Sequence, residues 1–242
     1  MKNEKRKKSL KGLVIAMTVL LVWGASLYGM MILKLDLKTA FLIPFAIVWQ
    51  TFLYTGLFIT AHDAMHGSIF PANRKVNNFF GHLSLLLYAL FSFKKLQTKH
   101  WDHHKFPAST KDPDYHDGEH PQFWRWYWRF MTHYLTWYQI LGMAVIFNLL
   151  LHVAGVAMVN IFLFWVAPAL LSTVQLFYFG TYLTHSDTAE GFKDKHRARS
   201  NDYPLLLSFL TCYHFGYHWE HHAFPNAAWW ELPGYYRERG NS

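Results

Sequence analysis

Three long runs without a charged side chain fix most of what this chain can become. Residues 12–33 and 39–61 give 22 and 23 consecutive uncharged positions, and residues 130–186 hold no Asp, Glu, Lys or Arg over 57 positions. About 20 mostly apolar residues span the hydrocarbon core of a bilayer as a helix. The first two runs each supply one span, and the third supplies two joined by a turn around Asn160. The expected spans are approximately 12–33, 39–61, 139–159 and 163–184. Composition points the same way: 16% of residues are charged and 52% hydrophobic, where soluble domains carry about 25% charge. A soluble core is therefore the weaker reading, and 242 residues suit one membrane domain, residues 1–242.

Six basic residues, Lys2, Lys5, Arg6, Lys7, Lys8 and Lys11, precede the first apolar run. That run is longer than a signal-peptide core and no clear small-residue cleavage site follows it, so a retained first helix is expected. The positive-inside rule then places the tail, residues 1–11, in the cytoplasm, and two spans bring the chain back there. Residues 79–93, "FFGHLSLLLYALFSF", form an apolar stretch of 15 residues closed by Lys94 and Lys95. It is short for a span and suits a re-entrant or interfacial segment. The expected fold class is thus an all-α integral membrane protein: four transmembrane helices, a re-entrant or interfacial segment, and a cytoplasmic histidine-rich cap. The formal charge of +8 sits largely beside apolar segments, which fits topology and anionic lipid and argues against nucleic acid as a partner.

Histidine carries the chemistry. "HDAMH" places His62 and His66 four apart; "HWDHH" places His100, His103 and His104, and "HWEHH" places His218, His221 and His222, at i, i+3 and i+4. On a helix those positions share one side, so three helices can aim eight imidazoles into one cage. His185 follows the last apolar run; spacing alone leaves it open between a ninth ligand and a polar helix end, and the number of ligands favours the ligand. A structural zinc takes four ligands and a catalytic zinc about three protein ligands. Nine nitrogens therefore fit two metals with open positions for oxygen chemistry better than one zinc. Imidazole suits several metals, iron among them. Asp63, Asp102, Asp187 and Glu220 lie between or beside these histidines. Each is expected to accept the second N–H of a histidine on a neighbouring helix. His214, four residues before His218, is a further candidate for this supporting layer. The other histidines lie on apolar or polar stretches without such spacing.

The chain has one cysteine, Cys212, too few for an iron–sulfur cluster of its own, and no GxGxxG turn. Electrons, where the chemistry needs them, come from another protein.

The segments "FITAHDAMHGS", "KHWDHHKFPASTKDPDYH" and "CYHFGYHWEHHAFPNAAWWELP" resemble the membrane-bound di-iron family of fatty-acid desaturases, alkane hydroxylases and carotenoid-modifying oxygenases. Within it they are most similar to the bacterial and cyanobacterial β-carotene ketolases, from about Thr51 to Pro233. The resemblance implies two non-haem iron ions and O2 as co-substrate. It implies an external electron donor such as ferredoxin, and a carotenoid substrate in the bilayer. It also implies two hydroxylations of one β-ionone ring carbon, C4, followed by loss of water to a ketone. β-Carotene would become echinenone and then canthaxanthin, and zeaxanthin would lead to astaxanthin. The eight box histidines and His185 would be ligands, and Asp114 in "DPDYH" a functional acid. Where this family is expected to read "LPHR" the chain reads "LTHS" around His185, a departure in that ligand's surroundings. Trp229 and Trp230 are expected to close the site or contact the ring. The expected location is the bacterial inner membrane, with the N-terminus and histidine boxes cytoplasmic. The alternatives are a fatty-acyl desaturase or hydroxylase, a carotenoid C3 hydroxylase, and a metal or haem transporter.

Overall fold

A computed structural model describes residues 2–186 and 191–240. Among the described residues the fold is built on ten helices, numbered in chain order: α1 (Lys2–Met31), α2 (Ile43–His66), α3 (Arg74–Ala89), α4 (Phe93–Lys105), α5 (Phe123–Tyr134), α6 (Trp137–Asn148), α7 (Met158–His185), α8 (Leu205–Cys212), α9 (His218–Ala223) and α10 (Leu232–Gly240). Among the described residues there is no strand, only an isolated bridge between Ser200 and Tyr217.

Among the described residues three helical stretches are long and apolar enough to cross a membrane: Asn3–Met31, Ala40–His66 and Met158–His185. These helices overlap three of the four ranges expected to span. The helix runs through the basic segment that the sequence marks as a tail. The remaining expected span corresponds to α6 continued by the wider π turn Leu149–Val153, and it meets α5 at a bend of 84°. The turn to α7 falls at residues 154–157, earlier than the expected Asn160. Asn160 already lies in α7, and its side-chain amide donates to the carbonyls of Met30 and Leu33, each at 2.8 Å. A buried amide finds its acceptors at the frayed end of another helix, because helix ends leave carbonyls without partners. That contact ties the end of α1 to the start of α7.

At the opposite end of α1, Ser9 accepts a hydrogen bond from the Ala72 N–H, 2.9 Å away, just beyond the end of α2. The start of α1 and the ends of α2 and α7 therefore share one end of the bundle, and His66 and His185 sit there. The re-entrant expectation for residues 79–93 corresponds to α3 and α4, which meet at 101°. Asn73 caps α3, accepting from the Lys75 and Val76 N–H groups. Leu90 then adopts a left-handed conformation, φ 57°, and the chain turns back. A Cβ on Gly81 would lie 2.2 Å from the Phe93 ring, so only glycine lets α4 return this close to α3.

Apolar burial drives helix association weakly inside a bilayer, where lipid tails are as apolar as side chains, so close packing and polar pairs do more. Both are present. Gly56 leaves room for the Tyr213 hydroxyl, Thr55 donates to Gln175 across α2 and α7 at 2.7 Å, and Tyr88 meets Ser172 at 2.7 Å.

Candidate metal centre

The helix ends bring the nine expected histidines together as two groups. His62, His66, His100 and His221 offer ring nitrogens that lie within 4.8 Å of one another, as do His103, His185, His218 and His222. His104 joins the first group, its Nε2 lying 2.8 Å from that of His221 and 3.1 Å from that of His100. In the same group, Nε2 of His66 and His100 lie 2.6 Å apart, and those of His62 and His221 lie 3.2 Å apart. In the second, Nε2 of His222 is 3.0 Å from that of His103 and 3.2 Å from that of His218. The partition corrects the simple picture of each box facing one way. In α4 the i and i+4 pair, His100 and His104, goes to the first group while His103 goes to the second. In α9 the i and i+4 pair, His218 and His222, goes to the second while His221 crosses to the first.

Hydrogen bonds on the far side of three rings decide which nitrogen faces inward. Nδ1 of His103 donates to Asp112, with oxygens at 2.9 and 3.0 Å. Nδ1 of His62 donates to Asp63 at 3.1 Å, and Nδ1 of His185 to the Arg197 carbonyl at 2.8 Å. Each ring therefore turns its Nε2 into its group. Nε2 of His185 is buried without a hydrogen-bond partner. Burial first, and then neighbouring histidines, hold His218, His221 and His222 well below the usual imidazole range. They are neutral, as metal ligands must be. Several neutral nitrogens facing one another cannot all be satisfied by shared protons; a cation between them satisfies them together. The donor set thus fits a metal in each group.

The supporting acids differ from expectation. Asp63 is buried and bonds its own neighbour His62 rather than a histidine on another helix; its second oxygen accepts from the Trp229 N–H at 2.8 Å. Asp102 is exposed, and the position expected for it is filled by Asp112. Glu220 is fully buried but meets Ser200 and Arg239, 3.0 Å away, and no histidine. Asp187 lies outside the described residues. His214 points to the Ser208 hydroxyl at 3.1 Å and belongs to neither group. Asp112 was visible only as a loop acid, and its signal was the Asp-x-Asp spacing: its oxygens also accept from the Ala108 and Asp114 N–H groups, each at 2.8 Å. This is the turn that such side chains build.

Beside both groups lies an apolar cavity, walled by Phe58, Met65, Tyr88, Phe130 and Leu176 among others and reached by His62, His100, His103 and His218. Asp114 enters it, its nearest oxygen 3.8 Å from His103 Nδ1. Burial pushes the Asp114 carboxyl up to about 6. The Tyr134 hydroxyl, also on the cavity wall, donates to it. Nothing in the sequence marked Tyr134 among its many aromatic neighbours. Trp229 and Trp230 do not reach this cavity. They line a separate surface groove with Leu205, Leu206 and Arg237. Trp230 instead faces Lys11, whose ammonium is 5.8 Å from the ring centre.

An apolar cleft whose few polar groups converge on one spot is the usual form of a small-molecule site. Comparison with known proteins finds named relatives over most of the chain. A "Zeaxanthin 4-ketolase" of Chlamydomonas reinhardtii is 43% identical over 94% of the chain and 53% of its own length. A "Beta-carotene 4-ketolase" of Protosiphon botryoides is 39% identical over 94% and 64%, and a "Beta-carotene ketolase" of Paracoccus sp. (strain PC1) is 44% identical over 76% and 74%. The chain thus spans about half to two thirds of the first two. No solved structure matches it. The fatty acid desaturase profile matches residues 39–142 and 133–240, and the chain belongs to that family.

Proposed function

We propose that this chain is an O2-dependent carotenoid 4-ketolase with two non-haem irons. The five nitrogens of His62, His66, His100, His104 and His221 would hold one iron, and the four of His103, His185, His218 and His222 the other. The observation that carries the reading is the two convergent nitrogen groups forming one wall of an apolar cavity, in a chain this similar to named ketolases. Bound iron with open positions would supply activation of O2.

The rest is work for the chain itself. The apolar walls take up the end of a polyene and keep water from the reacting carbon, and the longer part of the substrate lies among the helices or in lipid. His103 and its partner Asp112 fix one side of the site. Asp114, held by Tyr134, is the polar group nearest the substrate space. It serves as the proton-transfer group when the C4 methylene has been hydroxylated twice and the resulting diol loses water. The N-terminus and the histidine end face the cytoplasm across a bacterial inner membrane, a reading that rests on the basic residues of α1. An electron-carrying protein on that side supplies the reducing equivalents.

Expression in a bacterial host that accumulates β-carotene tests the reading. Echinenone and canthaxanthin in cells with the wild-type chain, and neither with His221→Ala, is the expected result. Unchanged β-carotene with folded, iron-loaded protein would overturn it and move the substrate to an acyl chain.

A further inference from the structure

Trp101 stands between the first histidine group and the protein surface. Its ring centre is 4.9 Å from that of His66 and 5.7 Å from that of His104, yet 42% of its surface is exposed. Phe215, the aromatic that touches His62, His218 and His221, is buried. Among the described residues Trp101 is therefore the aromatic side chain that both contacts the histidine groups and opens to the outside.

Its surroundings are basic. Lys105 lies one turn along the same face of α4, and its ammonium and that of Lys111 converge over Phe106, 5.0 and 5.4 Å from the ring centre. The Arg74 guanidinium covers Gly67, next to His66, and Lys75 follows it; all four cations are exposed, as is the acid Asp102 beside Trp101. The end of the bundle is the one that carries the start of α1.

We propose that this face docks an acidic one-electron carrier protein, and that electrons pass through Trp101 to the metal that the first histidine group would hold. The proposal rests on the oxygenase reading above. Each hydroxylation converts one C–H to C–OH and uses one O2, two electrons and two protons, releasing one water. The chain has one cysteine and no dinucleotide-binding turn, so a carrier must dock, be oxidised by one electron and leave, twice per hydroxylation. Trp101 is unchanged at the end: its indole fills the gap between the carrier and the imidazoles, and electron tunnelling falls steeply with empty distance. Basic rims act on such encounters by speeding association and by making it salt-dependent. An anionic lipid headgroup would use the same cations but has no use for an indole lying against two imidazoles.

The test uses the full chain in discs of zwitterionic lipid, with an acidic plant-type [2Fe–2S] ferredoxin as the probe. Binding is measured against ionic strength for the wild type and for Lys105→Glu/Lys111→Glu, with Lys105→Gln/Lys111→Gln as a milder pair. Ketone formation is driven in parallel by reduced ferredoxin and by reduced methyl viologen. The expected result is a dissociation constant raised about tenfold in the Glu pair and less in the Gln pair, with a flatter salt dependence. Ketone formation by the Glu pair should fall with ferredoxin only, and Trp101→Leu should slow ketone formation at saturating ferredoxin. Ferredoxin binding unchanged in both pairs would overturn the proposal. So would a loss confined to binding of phosphatidylglycerol vesicles, which would make the face a lipid surface. Absence of ketone with viologen in the wild type would instead sink the oxygenase reading, and ferredoxin binding would still decide the docking face.

Discussion

Asp112→Asn separates the support of one histidine group from the other. Asp112 is 3% exposed, and its two oxygens serve three donors: His103 Nδ1 against both, Asp114 N–H on one and Ala108 N–H on the other. Asparagine keeps one acceptor oxygen. Whichever way its amide turns, the NH2 faces one backbone N–H and shares the imidazole with the remaining oxygen. A buried donor left facing a donor costs about 1–3 kcal/mol, and the bond to His103 loses its charge. The ring then gains by placing its proton on Nε2, the atom aimed into the second group. Supporting carboxylates of this kind are worth about 10–100-fold in metal affinity, or about 1.4–2.7 kcal/mol. The assay is iron per chain after equilibration with graded chelator, beside thermal unfolding of the same sample. One iron should leave at a chelator concentration about 10–100-fold lower, and the other should leave as in the wild type. Two irons that leave together at the wild-type concentration would refute the argument.

The other predictions test the remaining parts of the site. Asp102→Asn should leave iron content and product yield within about twofold of wild type, because an exposed charge away from its neighbours contributes little; product analysis in cells checks it. Asp114→Asn should retain both irons yet lower ketone formation at least about 100-fold, the scale of a lost proton-transfer group, measured as product per iron. Gly180→Ala should cost about 1–3 kcal/mol through overpacking, since its Cβ would meet the Phe215 ring at 2.5 Å and Phe215 packs on His62 and His218; thermal unfolding reads the shift. Trp230→Leu should keep the ratio of ketone products unchanged, whereas Phe130→Ala, which enlarges the cavity wall, should alter it.

The sequence made the donor atoms legible and hid their supports, for a physical reason. Ligands must come in number and from helices whose periodicity is short, so His62 with His66, and the two HxxHH boxes, announce themselves within five residues. The groups that orient them act through tertiary contact, which no local spacing encodes. Asp102 sits closer in sequence to His103 than Asp112 does, but lies about 100° around α4 from it and faces outward. Asp112 reaches His103 only because Phe106 ends the helix and the loop folds back under its own Asx turn. Tyr134 reaches Asp114 across 20 residues and looks in sequence like any interfacial tyrosine. The long apolar helices were legible from charge alone, while the bends between α3 and α4 and between α5 and α6 depend on close contacts such as that of Gly81 with Phe93.

The doublets His103–His104 and His221–His222 explain why this architecture needs two HH boxes and not three. Consecutive residues of a helix point about 100° apart, so a doublet is the shortest way for one helix to reach two separate centres. α4 and α9 lie between the two groups and each must serve both, which requires a doublet. α2 borders only the first group, and its two histidines at i and i+4 both go there. α7 borders only the second, and a single His185 at its end is enough. The counts follow from that placement: α2 gives two nitrogens, α4 two and α9 one to the first group, while α4 gives one, α7 one and α9 two to the second. Shared helices also fix the separation of the two groups rigidly, because neither α4 nor α9 can move one group without moving the other. The cavity lies beside that fixed pair, and Asp114, which enters it, hangs from the same turn that orients His103.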